Sequence, residues 1–381
     1  MIEKLFQLRI PDSDIDDLRR RLERTRFPDA VSGASWGLGS NLDYMRELTE
    51  YWRTCFDWRV QEERLNSFPQ YKVTIDGVDL HYLLVPGKGA NPKPLLVLHG
   101  WPGSVFEMLE LVPRLNDPAS FGGNPMDAFT LIVPSLPGFG LSFSPGQKRF
   151  GIPDIADVMA KLMTEVLGYQ TFAAHGGDWG SFICSSLGIR HPEKLIGIHI
   201  TLISVRYDQN LIENPTLEER QYSEDVAEWV KENGGYIAIQ GTKPQTLAYG
   251  LNDSPAGLAA WIVEKFEGST DRGGDFETRI DRDLMLANIS LYWFTCTINA
   301  SFWPYYERLH GPWPIPDGMT VDIPMGHALF PKEVRRPPRS IAETVYTDIR
   351  RWTSMSRGGH FSALEEPDAL SKEVQLFFRS L

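Results

Sequence analysis

In the hexapeptide His175-Gly176-Gly177-Asp178-Trp179-Gly180 one carboxylate stands between small residues, two positions before it and two after. An apolar run, Thr171 to Ala174, precedes it, and a stretch readable as a helix, Trp179 to about Arg190, follows. A sharp strand-to-helix turn forces backbones together, so only small flanking side chains fit, and the central side chain is left at the edge of a sheet. The commoner version of this turn has serine at its centre. An aspartate there suits attack on a saturated carbon, because it displaces a leaving group and becomes an ester. Read alone, the hexapeptide is equally well explained as a Gly-rich turn with Asp capping a helix. The rest of the chain has to decide.

An aspartyl ester needs three partners to turn over. The first is a pair of donors for the oxyanion formed when the ester is hydrolysed. His99-Gly100-Trp101-Pro102-Gly103 follows the strand-like run Leu95–Leu98, so the backbone N–H of Trp101 can face that of Trp179. His99 itself receives no chemical role, since His-Gly-x-Pro alone reads as a turn with a buried histidine. The second is a base. His360, in Arg357-Gly358-Gly359-His360-Phe361, lies in a Gly-rich loop late in the chain, and the order nucleophile, acid, histidine is that of α/β-hydrolases. His81, His191, His199, His310 and His327 stand in strand, helix or cap-end contexts that suit structural or solvated roles. The third is a carboxylate to orient the histidine. Glu333, in Phe330-Pro331-Lys332-Glu333, is favoured; Asp348, Glu343 and Asp322 stay open as rivals. Gly33-Ala34-Ser35-Trp36-Gly37 fits the serine-hydrolase pattern, but no apolar strand precedes it and a turn-rich loop follows, so Ser35 reads as a chance match.

The elements that must position these groups are legible as alternating strands and helices. Asp12 to Arg26 and Leu42 to Phe56 carry apolar residues at helical spacing. Tyr71–Ile75 and Leu80–Leu84 alternate about Asp76-Gly77, a hairpin signal. Buried-strand runs at Leu95–Leu98, Phe129–Val133 and Ile196–Ile203, interleaved with helices, predict an α/β fold with a mostly parallel, doubly wound sheet. Ligands in such sheets gather at the carboxyl ends of the strands, where His99 and Asp178 fall. Between about 206 and 312 the pattern becomes all-helical. A capping box at Thr216 and Glu219 starts a helix that stops at Gly234-Gly235. Another helix starts at Ser254-Pro255, and a long stretch from Asp281 to Leu309 is broken at Pro304. This insertion reads as a lid, after which Thr320–Ile323 and Trp352–Met355 resume the core. The organisation expected is an extension over 1–70, core over 71–205 and 313–381, and lid over 206–312.

A formal net charge of -12 excludes nucleic acid as a partner, which would want a basic face. No apolar run reaches transmembrane length and the N-terminus shows no signal-peptide core, so no membrane anchor is expected and the location expected is cytoplasmic. Three cysteines, Cys55, Cys184 and Cys296, stand too far apart for a metal or redox motif.

Together these segments resemble the microsomal-type epoxide hydrolases, a branch of the α/β-hydrolases with an N-terminal extension that wraps the core. The resemblance runs through Tyr51-Trp52-Arg53, Phe56-Asp57-Trp58-Arg59, His99 to Ser104, Pro134-Ser135-Leu136-Pro137-Gly138-Phe139-Gly140, Gly176 to Gly180 and Arg357 to Phe361. It implies Asp178 as nucleophile, His360 as base and Glu333 as acid. It also implies two lid tyrosines that hold and protonate the epoxide oxygen, Tyr236 and Tyr305, with Tyr306 a rival for the second. The implied substrate is a small-molecule epoxide, opened to a vicinal diol with no metal or organic cofactor; the extension would fasten the lid or form a homodimer contact. A phenol suits the task independently, since an alkoxide leaves poorly without a proton and a phenol stays protonated at neutral pH. A dehalogenase would share the aspartate and histidine but want N–H donors such as the Trp101 and Trp179 indoles in place of phenols. A non-catalytic hydrolase-like binding protein would not need the full set of nucleophile, acid and base. A serine esterase would need Ser35.

Overall fold

The computed structural model describes residues 2–205, 214–271, 273 and 275–381. Nine strands form one sheet: β1 (Lys4–Phe6), β2 (Gln70–Ile75), β3 (Val78–Val85), β4 (Lys93–Leu98), β5 (Phe129–Pro134), β6 (Phe172–Gly176), β7 (Leu195–Ile200), β8 (Met325–Leu329) and β9 (Ile349–Ser354). Their spatial order is β1-β2-β3-β5-β4-β6-β7-β8-β9, antiparallel from β1 through β3 to β5 and parallel from there to β9. The β2–β3 hairpin turns at Asp76 (φ 49°) and Gly77 (φ 85°). Two successive positive φ values match the right-handed twist of the flanking strands. Every residue of β6 is buried, as expected of a parallel strand covered on both faces.

The helices of the first half are α1 (Asp12–Glu23), α2 (Leu42–Thr54), α3 (Trp58–Asn66), α4 (Leu111–Asn116), α5 (Ile152–Lys161) and α6 (Asp178–Arg190). Between β7 and β8 come α7 (Leu217–Asn233), α8 (Gly235–Thr242), α9 (Pro244–Asp253), α10 (Pro255–Ser269), α11 (Arg282–Thr295), α12 (Ile298–Ser301) and α13 (Trp303–His310). The chain closes with α14 (Arg339–Ala342), α15 (Ser362–Glu365) and α16 (Pro367–Arg379). The capping box at Thr216 and Glu219 is formed in both directions. The expected start of the insertion at 206 lies outside the described residues. The N-terminal helices grip the inserted ones through polar bonds. Trp52 Nε1 donates to Ser290 Oγ (3.1 Å) and Tyr51 Oη to Asp283 (2.8 Å), while Arg282 pairs with Glu47 (2.9 Å).

Two expectations need correction, and one helix went unpredicted. Residues 320–323 form only an isolated bridge, Val321 to Tyr346, and the strand is Met325–Leu329. Pro324 has no N–H for the ladder, although its carbonyl accepts from Ile198, and the buried His327 hides the strand from a hydrophobic pattern. The long helix breaks first at Cys296, whose φ of 50° ends α11, and again at Phe302, between α12 and α13 and just before the expected Pro304. Pro304 sits in the first turn of α13, where the missing N–H has no acceptor to lose. Helix α3 carries no clear apolar stripe because two of its buried residues are Gln61 and Glu62; Glu62 accepts from the Ile10 amide (2.6 Å) and the Trp58 indole (3.1 Å).

Candidate active site

Asp178 opens α6 immediately after β6, with φ at 44°, a conformation a side chain rarely adopts. The glycines around it are dictated by contact. A Cβ on Gly176 would lie 2.4 Å from the Gly180 carbonyl carbon, one on Gly180 would lie 2.3 Å from the Leu98 carbonyl oxygen, and one on Gly100 would lie 2.3 Å from Asp178 Oδ1. The elbow therefore closes only with these three side chains absent. The Trp101 amide, beyond the end of β4, donates to Asp178 Oδ1 at 2.7 Å. The Trp179 amide belongs to the first turn of α6, where N–H groups have no intrahelical acceptor and the helix dipole favours negative charge.

His360 reaches the same point from the loop after β9. Its amide donates to the Ser269 carbonyl (2.9 Å), and Gly358 takes φ of 100°, where a Cβ would meet the Phe330 ring at 2.8 Å. His360 Nε2 lies 3.5 Å from Asp178 Oδ2, and Nδ1 lies 2.6 Å from Glu333 Oε1. Glu333, just beyond β8, has a side chain with no solvent exposure, and Oε1 also accepts from the Val334 amide (2.7 Å). The rivals point elsewhere: Asp348 bonds Arg350, Glu343 bonds Arg339 and Asp322 bonds Thr347. Burial opposes a charge on His360. Even so, the Glu333 and Asp178 carboxylates hold its imidazole protonated well above the ordinary histidine range.

Tyr236, on α8, and Tyr305, on α13, face each other with ring centroids 5.8 Å apart. Both rest on Trp101, Tyr236 stacked at 5.5 Å and Tyr305 edge-on at 5.7 Å. Burial first, then neighbouring negative charge, raises both phenols above their usual pKa, so both stay protonated. Tyr306 stacks instead between Trp303 and His310. Two small hollows, about 30 and 40 Å³, share Trp229, Tyr236 and Val334 as walls; one reaches His360 and the other reaches Asp178 and Tyr305. Ser35 is exposed and borders a separate hollow of about 440 Å³ between the extension and α10, whose walls include no histidine. His99 bridges the Gly100 carbonyl and the Leu136 amide, and burial lowers its pKa to about 4, so it is a neutral strut.

Residues 3–108 match the family model described as epoxide hydrolase N terminus, and residues 93–206 match the alpha/beta hydrolase fold. Rabbit (Oryctolagus cuniculus) epoxide hydrolase 1 is 35% identical over 98% of this chain and 88% of its own. The chain belongs to the epoxide hydrolases. A Stigmatella aurantiaca protein named provisionally as an epoxide hydrolase is 42% identical over 99% of this chain and 84% of its own. Among solved structures, silkworm (Bombyx mori) juvenile hormone epoxide hydrolase superposes with a TM-score of 0.89 at 29% identity, covering 100% of this chain and 95% of that one. Aspergillus niger epoxide hydrolase gives 0.88 at 29%, covering 100% and 97%. This epoxide hydrolase has the α/β-hydrolase fold, and no described helix is long and apolar enough to cross a membrane.

Several residues of the site carried no sequence signal. Asn288 and Tyr292 of α11 hold the Pro102 and Gly103 carbonyls (2.8 Å each), fixing the loop that carries the Trp101 amide. Glu107, half-buried by surface area, is nonetheless shielded enough that its carboxyl is pushed up to about 8, with Asp178 adding to the effect and His360 opposing it. Arg308, one turn beyond Tyr305, spreads over Trp179 and Trp313. Only the spacing of Asn288 and Tyr292, one helical turn apart, could have flagged any of them.

Proposed function

We propose that this enzyme opens its epoxide through a covalent ester on Asp178, which water activated by His360 then hydrolyses. Asp178 Oδ2 attacks a ring carbon while the Tyr236 and Tyr305 hydroxyls bond the ring oxygen, and one phenol transfers its proton as the C–O bond breaks. Oδ1 stays beneath the Trp101 amide. The observation that carries this reading is the line Glu333–His360–Asp178, at 2.6 and 3.5 Å, ending at the cavity that the paired phenols close.

Charge accounting gives the sequence its direction. In the free enzyme two carboxylates hold His360 protonated. Forming the ester removes the charge on Asp178, so the imidazolium loses one of its two supports and its proton becomes available to the phenolate left by ring opening. The neutral imidazole then takes a proton from water, which attacks the ester carbon, and the developing oxyanion meets the Trp101 and Trp179 amides. The diol departs with one oxygen from Asp178. Glu333 orients the ring and supports its charge.

A dehalogenase is the second reading, favoured by one observation: the Trp101 indole N–H is buried with no acceptor among the described residues. The two phenols against that ring favour the epoxide instead, because a halide leaves without a proton. Styrene oxide and 1-bromohexane offered in parallel separate the two, by diol and bromide release. His360→Gln should alkylate once and stop, leaving a peptide adduct on Asp178; an adduct on another residue would refute the assignment. Esterase activity that survives Asp178→Ala and vanishes in Ser35→Ala would replace both readings.

A further inference from the structure

The cavity over Asp178 contains charge that the proposed reaction does not use. Arg308, three residues after Tyr305, and Arg335, two after Glu333, line it beside Asp178, Tyr236 and Tyr305. The Arg308 guanidinium lies 5.5 Å from the centroids of both the Trp179 and Trp313 rings. Stacking occupies the faces of a planar guanidinium and leaves its in-plane N–H donors free to meet an acceptor. Among the described residues no carboxylate pairs with Arg308 or with Arg335, and neither guanidinium makes a hydrogen bond.

Acids are not scarce in this molecule, which has 50 acidic residues for 38 basic ones. Two other partly shielded arginines are met by acids, Arg351 by Glu373 at 2.6 Å and Arg282 by Glu277 at 2.6 Å, whereas Arg149, over the Phe143 ring, has no acid partner among the described residues. A guanidinium withdrawn from water without a counter-charge is costly. Burial, then the neighbouring Arg335, works against the charge of Arg308. Asp178 is the acid of this cavity and is engaged by Trp101 and His360. Among the described residues no further acid lines this cavity to supply the counter-charge, which a ligand can bring.

We propose that the substrate is an epoxide bearing a carboxylate, and that Arg308, with Arg335 beside it, binds that carboxylate while Asp178 faces the ring. The proposal rests on the epoxide-opening reading above. Carboxylate suits the site because a planar fork of N–H donors matches its two oxygens. Arg308 would be a specificity residue, placing the ring through the far end of the substrate.

The rival explanation is that Arg308 acts through the phenols, since its charge also favours ionisation of Tyr236. Substrate charge separates the two. The full-length enzyme is assayed on ω-epoxyalkanoates from 3,4-epoxybutanoate to 6,7-epoxyheptanoate, on their methyl esters, and on styrene oxide. The readout is the ratio of kcat/KM for each acid to that for its ester. We expect the acid to be preferred at one or more chain lengths, and Arg308→Met to lower that ratio about 10- to 100-fold, the loss of a charge-assisted pair. Arg335→Gln, on a half-exposed loop position, should lower it in the same direction and covers the case in which Arg308→Met does not fold. Esters preferred at every length by the wild type, or a ratio untouched by the variants while both substrates slow together, would overturn the proposal. Diol from styrene oxide alongside such a result would leave the epoxide reading standing; no diol from any epoxide would overturn both.

Discussion

Glu333→Gln isolates the second half of the proposed cycle. The carboxylate is wholly buried and sits 2.6 Å from His360 Nδ1. Glutamine keeps an acceptor there and removes only the charge. A charge-assisted hydrogen bond of this kind contributes about 1.5–3 kcal/mol. At about 1.4 kcal/mol per tenfold, ester hydrolysis should slow roughly 10- to 150-fold. Ring opening depends on Asp178 and the phenols and should change little, so the ester should accumulate. Rapid quench with intact-protein mass measurement would then show a fast burst near one equivalent per site followed by slow turnover. The pH dependence has a definite sign. Glu333 and Asp178 hold His360 protonated above its ordinary range. Removing one of those charges lowers that pKa, so neutral base appears earlier and the acidic limb of kcat moves to lower pH. A single-turnover alkylation rate that falls as far as kcat, with no ester accumulating, would refute this division of labour.

Other expectations bear on separate parts of the molecule. Tyr236→Phe and Tyr305→Phe should each slow alkylation by about 10²–10³, as for loss of one oxyanion donor, and the double variant should slow it further; alkylation unchanged in both single variants would remove the phenols from the mechanism. Gly180→Ala places a Cβ 2.3 Å from the Leu98 carbonyl oxygen and should destabilise the fold by about 1–3 kcal/mol, read by thermal denaturation; an unaltered Tm would mean the elbow has slack. Burial lowers His175 and His327 to about 4 and His81 to about 3. Their folded pKa values lie below the ordinary 6.5, so the unfolded chain binds more protons between those limits. Stability is complete above pH 6.5 and is lost as pH falls toward 4, at up to about 1.4 kcal/mol per pH unit for each histidine. Urea titrations at pH 7, 5.5 and 4.5 giving the same midpoint would contradict this.

What could be read from sequence was what is local in the chain. Gly176, Asp178 and Gly180 declare the elbow because their spacing is a backbone requirement. Asp76-Gly77 declares its hairpin and Thr216 with Glu219 its helix start for the same reason. Strand β8 escaped because buried His327 and Gly326 do not look like a strand interior. The break at Cys296 escaped because a left-handed residue other than glycine has no compositional mark. In the site, the resemblance supplied Tyr236 and Tyr305, which are ordinary in composition. Preferring Tyr305 to Tyr306 rests on packing, since the Tyr306 ring stacks with Trp303 and His310. Arg308 becomes notable only because no described residue supplies it an acid, and Glu107 only because its carboxyl is shielded beside Asp178 and His360, and no periodicity encodes that.

In the proposed cycle the first oxygen delivered to the substrate belongs to Asp178. With enzyme in excess over epoxide in heavy-oxygen water, a single turnover should yield diol without label, while the peptide containing Asp178 gains one heavy oxygen. Label appearing directly in the diol, with none in that peptide, would contradict the account.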